Sequence, residues 1–96
     1  GSGAFYILRA RGDSMKDAGI HEKDLVVIQK QETAKVGDIV VALIGDNENT
    51  LKRFGGLDEE GYAILEYQNE EVYPEKIIRV RDLIVQGVAK HVIKSL

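Results

Sequence analysis

Asp38-Ile39-Val40-Val41-Ala42-Leu43-Ile44, then Gly45-Asp46-Asn47-Glu48-Asn49, then Thr50-Leu51-Lys52-Arg53-Phe54, read as a strand, a hairpin loop and a return strand. The first run is nearly continuous in Val, Ile and Leu, the pattern of a strand covered on both faces. The loop is made of Gly, Asp and Asn, which tolerate tight turns. In an alternating return strand, Thr50, Lys52 and Phe54 share one face while Leu51 and Arg53 share the other. One of these faces must meet the core, so a lysine is drawn toward an apolar interior.

Working outward, further β-type runs occur at Phe5–Ala10, Leu25–Ile28, Gly61–Glu66, Ile77–Val80 and Ile84–Ala89, the last continuing through Val92-Ile93. Gly55-Gly56 is expected to end the return strand, and Tyr67–Glu75, with the sole proline Pro74, to form a surface loop. Short strands at regular spacing with turns between them indicate a small sandwich or barrel. One helical piece is expected, from Ser14 to about Ala18, ended by Gly19. The 96 residues suit one domain. Gly1-Ser2-Gly3 is set aside as an expression scar, which leaves residues 4–96 as that domain.

An apolar share of 44% and a charged share of 30% fit a globular chain and argue against disorder. A net charge of -3, without a run of like charge, gives no electrostatic footprint for nucleic acid. Cysteine is absent, which excludes thiol catalysis, disulfides and cysteine zinc sites and suits a reducing cytosol. No apolar stretch approaches the roughly 20 residues that span a bilayer, and no signal peptide is recognised. The expected location is cytoplasmic.

Two residues stand out chemically. Ser14, in Gly12-Asp13-Ser14-Met15, opens the expected helical turn, where unpaired backbone N–H groups could receive an oxyanion. An N-cap is the commoner role of a serine in that place. Lys52 can act as a base only when neutral, and burial favours the neutral amine. A lysine that lays its stem on the strand and keeps its head in water is the alternative. Sequence spacing does not bring the two together, but a Ser-Lys pair is a known hydrolase arrangement. His21 and His91 have no triad or metal-ligand pattern around them. Asp58-Glu59-Glu60 and Glu70-Glu71 read as solvated loop acids, and Gly55-Gly56 is no phosphate loop.

Leu8-Arg9-Ala10-Arg11-Gly12-Asp13-Ser14-Met15-Lys16-Asp17-Ala18-Gly19-Ile20 resembles the nucleophile segment of the LexA-type self-cleaving repressors, peptidase family S24. Asp24-Leu25-Val26, Val36–Ala42 and Glu48–Arg53 resemble the blocks that follow it in that family, in the same order. The resemblance implies a Ser-Lys dyad, with Ser14 as nucleophile and Lys52 as general base, and backbone N–H groups of Asp13 and Ser14 as oxyanion donors. It calls for no metal and no cofactor. It implies an endopeptidase acting on an Ala-Gly type bond in the parent's own linker, which inactivates an SOS-response repressor. The partners it implies are a second copy of the chain, with Val88–Ile93 contributing, and the RecA–single-stranded DNA filament. DNA would be bound only through a separate N-terminal domain, and no membrane is involved. Asp13, Glu22-Lys23 and Asn49 depart from the family pattern, and neither the helix-turn-helix domain nor the cleavage loop lies in this sequence. The alternatives are a UmuD-like mutagenesis protein, a phage repressor domain and a non-enzymatic dimerisation module. The expected fold is mostly β: a small, strongly bent sheet or partial barrel with one short helical turn at the nucleophile.

Overall fold

In a computed structural model, residues 3–45 and 48–94 are described, and they form one seven-stranded antiparallel sheet. The strands are β1 (Phe5–Arg9), β2 (Leu25–Gln29), β3 (Ile39–Ile44), β4 (Glu48–Leu57), β5 (Ala63–Glu66), β6 (Ile77–Val80) and β7 (Ile84–Ile93). Their order across the sheet is β1-β2-β7-β3-β4-β5-β6. The β3–β4 hairpin is therefore central, with β3 between β7 and β4.

The expected bent sheet or partial barrel is not what forms. The sheet is open and not strongly curled, with β1 and β6 each paired on one side only. The reason lies in β3, where successive side chains enter different cores. Val41 packs with Ala10, Met15, Ile20, Val26, Ile28 and Leu51. Val40 and Ala42 pack with Leu65 and Val88. A barrel turns one apolar face inward, whereas this sheet has an apolar layer on each face at its centre.

The expected helix from Ser14 to Ala18 is also corrected. No α-helix is present among the described residues; Lys16–Ala18 form a single 3-10 turn, with Gly19 left-handed behind it at φ 83°. Ser14 lies ahead of that turn, and no side chain caps it. Two competing demands explain this: Met15 and Ile20, both 3% exposed, are pulled into the core from either end of a segment too short for α-helical turns.

Other boundaries move less. β4 begins at Glu48 and runs through Gly55-Gly56, which bend it at a bulge opposite Leu65 and Ala63 instead of ending it. Of the expected loop Gly45–Asn49, Asp46 and Asn47 lie outside the described residues, as do Gly1 and Ser2 of the leading tripeptide. β7 is one strand whose register shifts twice, once against β2 and once against β3. Among the described residues no helix is long and apolar enough to cross a membrane.

Gly87 sits where β7 crosses the core. A Cβ there would lie 2.3 Å from Ile28 Cγ2 and 2.8 Å from the Gln29 carbonyl oxygen. The backbone atom cannot move aside, so Gly87→Ala is expected to lower stability by about 1–3 kcal/mol, seen as an earlier urea midpoint. A midpoint equal to wild type would contradict this packing.

Candidate active site

The turn around Ser14 is fixed from beneath and from one side. Beneath it, Met15 fills the core, and its carbonyl accepts from the N–H groups of Ala18 at 3.0 Å and Ile20 at 3.2 Å. At the side lies the segment between β5 and β6. Gln68 N–H donates to the Ser14 carbonyl (2.7 Å), and Asp17 N–H donates to the Gln68 carbonyl (2.6 Å). Asn69 Nδ2 donates to the Asp13 carbonyl (2.9 Å), and Glu70 N–H donates to the Asp17 carboxylate (2.7 Å). Ser14 is left half-buried, with its hydroxyl facing β4.

Lys52 comes from the centre of β4, opposite Val40 of β3. It is buried, at 5% exposure, so its stem does not lie out along the surface, and what remains open of it faces a groove. Nζ donates to Ser14 Oγ at 3.2 Å, Thr50 Oγ1 at 2.5 Å and the Leu51 carbonyl at 3.1 Å. Those three acceptors match the three protons of an ammonium. The neutral amine has two protons and a lone pair. The Leu51 carbonyl can only accept, so it takes one proton, and the hydroxyls of Thr50 and Ser14 share the other proton and the lone pair. With Thr50 accepting, the lone pair faces the Ser14 hydroxyl proton.

Burial pushes the Lys52 amine below its ordinary value of 10.5, and the nearby Lys76 cation pushes in the same direction. Both ammonium groups lie 4.7 Å from the centre of the Tyr67 ring. An aromatic face favours a cation, but here it is shared by two, and loss of hydration outweighs it.

A groove of about 530 Å³ opens over Lys52 and Tyr67, walled by Arg11, Ile44, Glu48 and Ile78. A smaller pocket of about 70 Å³ lies beside Ser14, between Leu8, Gly12 and Leu51. Ser14 and Asp13 N–H groups donate to no acceptor among the described residues. His21 and His91 are exposed and form no hydrogen bond with Ser14 or Lys52. Among the described residues no group of three or more His, Asp or Glu side chains could hold a metal ion.

Sequence reasoning missed the contribution of 67–76. Expected as a surface loop, it contains Asn69 at 2% exposure and the aromatic floor of Tyr67. Its polar composition concealed this, since Asn69 is buried to satisfy backbone groups and not for its own hydrophobicity, while half-buried Gln68 acts through its backbone. Asp58 was also read as solvated. It instead closes the β4–β5 connection by accepting from Glu60 and Tyr62 N–H groups and pairing with Arg79.

An open antiparallel sheet thus sets a turn serine against a buried strand lysine, and comparison with known proteins gives the chain a family. The model of the Peptidase S24-like family matches residues 1–90, and the chain belongs to that family. Over 88 residues it is 47% identical to the LexA repressor of Cereibacter sphaeroides, in each of two strains. That match takes in 88% of this chain and 38% of the relative, so the chain spans well under half the length of these proteins.

Lys52 should titrate, by NMR of its Cε and Nζ, below the ordinary 10.5. Lys76→Met should raise the midpoint without restoring that value, because burial is the larger cause. A Lys52 midpoint unaffected by Lys76→Met would rule out the second contribution.

Proposed function

We propose that this chain is the catalytic and dimerisation domain of a LexA-like self-cleaving repressor, a serine endopeptidase with Ser14 as nucleophile and Lys52 as general base. The observation that carries this reading is the 3.2 Å contact between Ser14 Oγ and a lysine amine buried enough to be driven toward its neutral form. Neutral Lys52 takes the hydroxyl proton as Ser14 Oγ attacks the carbonyl carbon of a peptide bond. The carbonyl oxygen becomes an oxyanion within reach of the free N–H groups of Asp13 and Ser14. Lys52 returns the proton to the leaving amine as the C–N bond breaks, and an ester on Ser14 remains. Water, deprotonated by Lys52, then hydrolyses that ester.

The groove over Lys52 suits an extended peptide, and the small pocket beside Ser14 suits a short side chain such as that of alanine. This supports an Ala-Gly type bond in the parent's linker as substrate. Loss of that bond would end repression in an SOS-type response governed by the RecA–single-stranded DNA filament, as the kinship with LexA repressors suggests.

For the homodimer, the face of β1, β2 and β7 that points away from the core is the favoured surface. Register places Ile7 beside Val27, Arg9 beside Leu25, and Leu25 beside Ile93. Phe5 and Ile7 are both 58% exposed, and Ile93 is 45% exposed. These neighbours form an apolar sheet face rather than scattered residues. Within Val88–Ile93, Val88 is in one core and Ala89 and Val92 pack against the other, which leaves Lys90, His91 and Ile93 to contribute.

A peptide carrying an Ala-Gly bond, supplied to the chain, should be cut faster as pH rises. Below the lowered Lys52 pKa the amine is protonated and cannot accept; above it the rate should level off. Ser14→Ala and Lys52→Ala should each slow cleavage by roughly 10³-fold or more. A rate independent of pH, or cleavage retained by either variant, would refute the dyad. The chain should sediment as a dimer at micromolar concentration and Ile7→Glu as a monomer; an Ile7→Glu dimer would remove this face from the interface.

A further inference from the structure

Asn69 is the deepest polar side chain outside the dyad, and its surroundings give it a specific task. An amide at 2% exposure must find partners for its polar atoms. Asn69 Oδ1 accepts from the Val72 N–H at 3.2 Å, which folds the loop back on itself. The Tyr73 N–H donates to the Asn69 carbonyl at 2.7 Å and holds its backbone. Nδ2 is then aimed across 56 residues of sequence at the Asp13 carbonyl.

That carbonyl belongs to the peptide that ends in the Ser14 N–H. The peptide is trans, so its C=O and N–H point in opposite directions. Anchoring the carbonyl in the 67–76 loop turns the Ser14 N–H away from that loop, where it meets no protein acceptor among the described residues. The Lys16 N–H also reaches the Asp13 carbonyl, at 3.2 Å, but it moves with the same turn and cannot fix the turn to the rest of the domain.

We propose that Asn69 is a positioning residue: by holding the Asp13 carbonyl, it orients the Ser14 N–H toward the oxyanion that forms during cleavage. This rests on the reading of Ser14 as nucleophile. Donors fixed beforehand in the direction of developing charge need no reorganisation during the reaction. Asn69 makes no hydrogen bond with Lys52 or the hydroxyl of Ser14, so its link to the dyad runs through that peptide.

Asn69→Asp keeps the shape and the acceptor for Val72 but faces the Asp13 carbonyl with oxygen in place of the donor. In the whole chain with the Ala-Gly peptide, kcat should fall about tenfold or more, since small misplacements in an active site have effects of that size. KM and the pH midpoint set by Lys52 should stay as in wild type, and the Ser14 amide resonance should shift while those of β2 do not. Asn69→Ser, too short to reach Asp13, should give the same pattern and serves if the Asp variant unfolds. Wild-type kcat in a folded variant, a loss of rate that follows only the unfolded fraction, or an unmoved Ser14 amide would each overturn the assignment. If Ser14→Ala cleaves like wild type, the peptidase reading fails separately. The Ser14 amide shift then still decides whether Asn69 orients that peptide.

Discussion

A lysine amine kept out of water is the constraint on which this structure turns. Removing an ammonium from solvent is unfavourable unless it is paired with acid or gives up its proton. Among the described residues no carboxylate pairs with Lys52; its hydrogen-bond partners are two hydroxyls and a carbonyl. Such a site can exist only where a strand is covered on both faces. β4 meets that condition because Leu51 enters one core while Lys52 lies beneath the groove formed with Tyr67. The central position of the β3–β4 hairpin follows from the same need, since an edge strand would leave the amine hydrated.

Much of this was legible in the residues. The apolar run from Ile39 to Ile44 announced a doubly covered strand, and in β3 Val41 enters one core while Val40 and Ala42 enter the other. The resemblance blocks singled out Ser14 and Lys52, and the fold brings them within 3.2 Å although 38 residues separate them. Closure of the sheet was not legible. Alternation says which side chains share a face, but whether β1 meets β6 depends on accumulated twist and on what covers the ends, which no short window contains.

The loop expected from Tyr67 to Glu75 is exposed at Glu70–Val72 and Pro74-Glu75, but the buried Asn69 within it was not legible. Polar residues with a proline and several acids normally mark a solvated connection. Here the Ser14 carbonyl and the Asp17 N–H find their partners in the backbone of Gln68, and Asn69 donates to the Asp13 carbonyl. A buried asparagine that serves another segment's backbone carries no periodic signal. Only the three-dimensional accounting of donors and acceptors reveals it. The 3-10 turn had a similar cause, because Met15 and Ile20 answer to the core before they answer to local helical preference.

The stitch between the serine turn and the loop that follows β5 spans more than fifty residues, as do the bonds from Asn69 to Asp13 and from Glu70 to Asp17. Contacts between parts so distant in sequence are made late, after nearer pairings have shortened the chain's search. A nascent or partly denatured chain therefore holds the serine and the lysine before the bonds that fix the serine turn are in place. Under the proposed dyad, cleavage would wait for β5 and its loop to dock, which would leave an incomplete chain inert toward its own backbone.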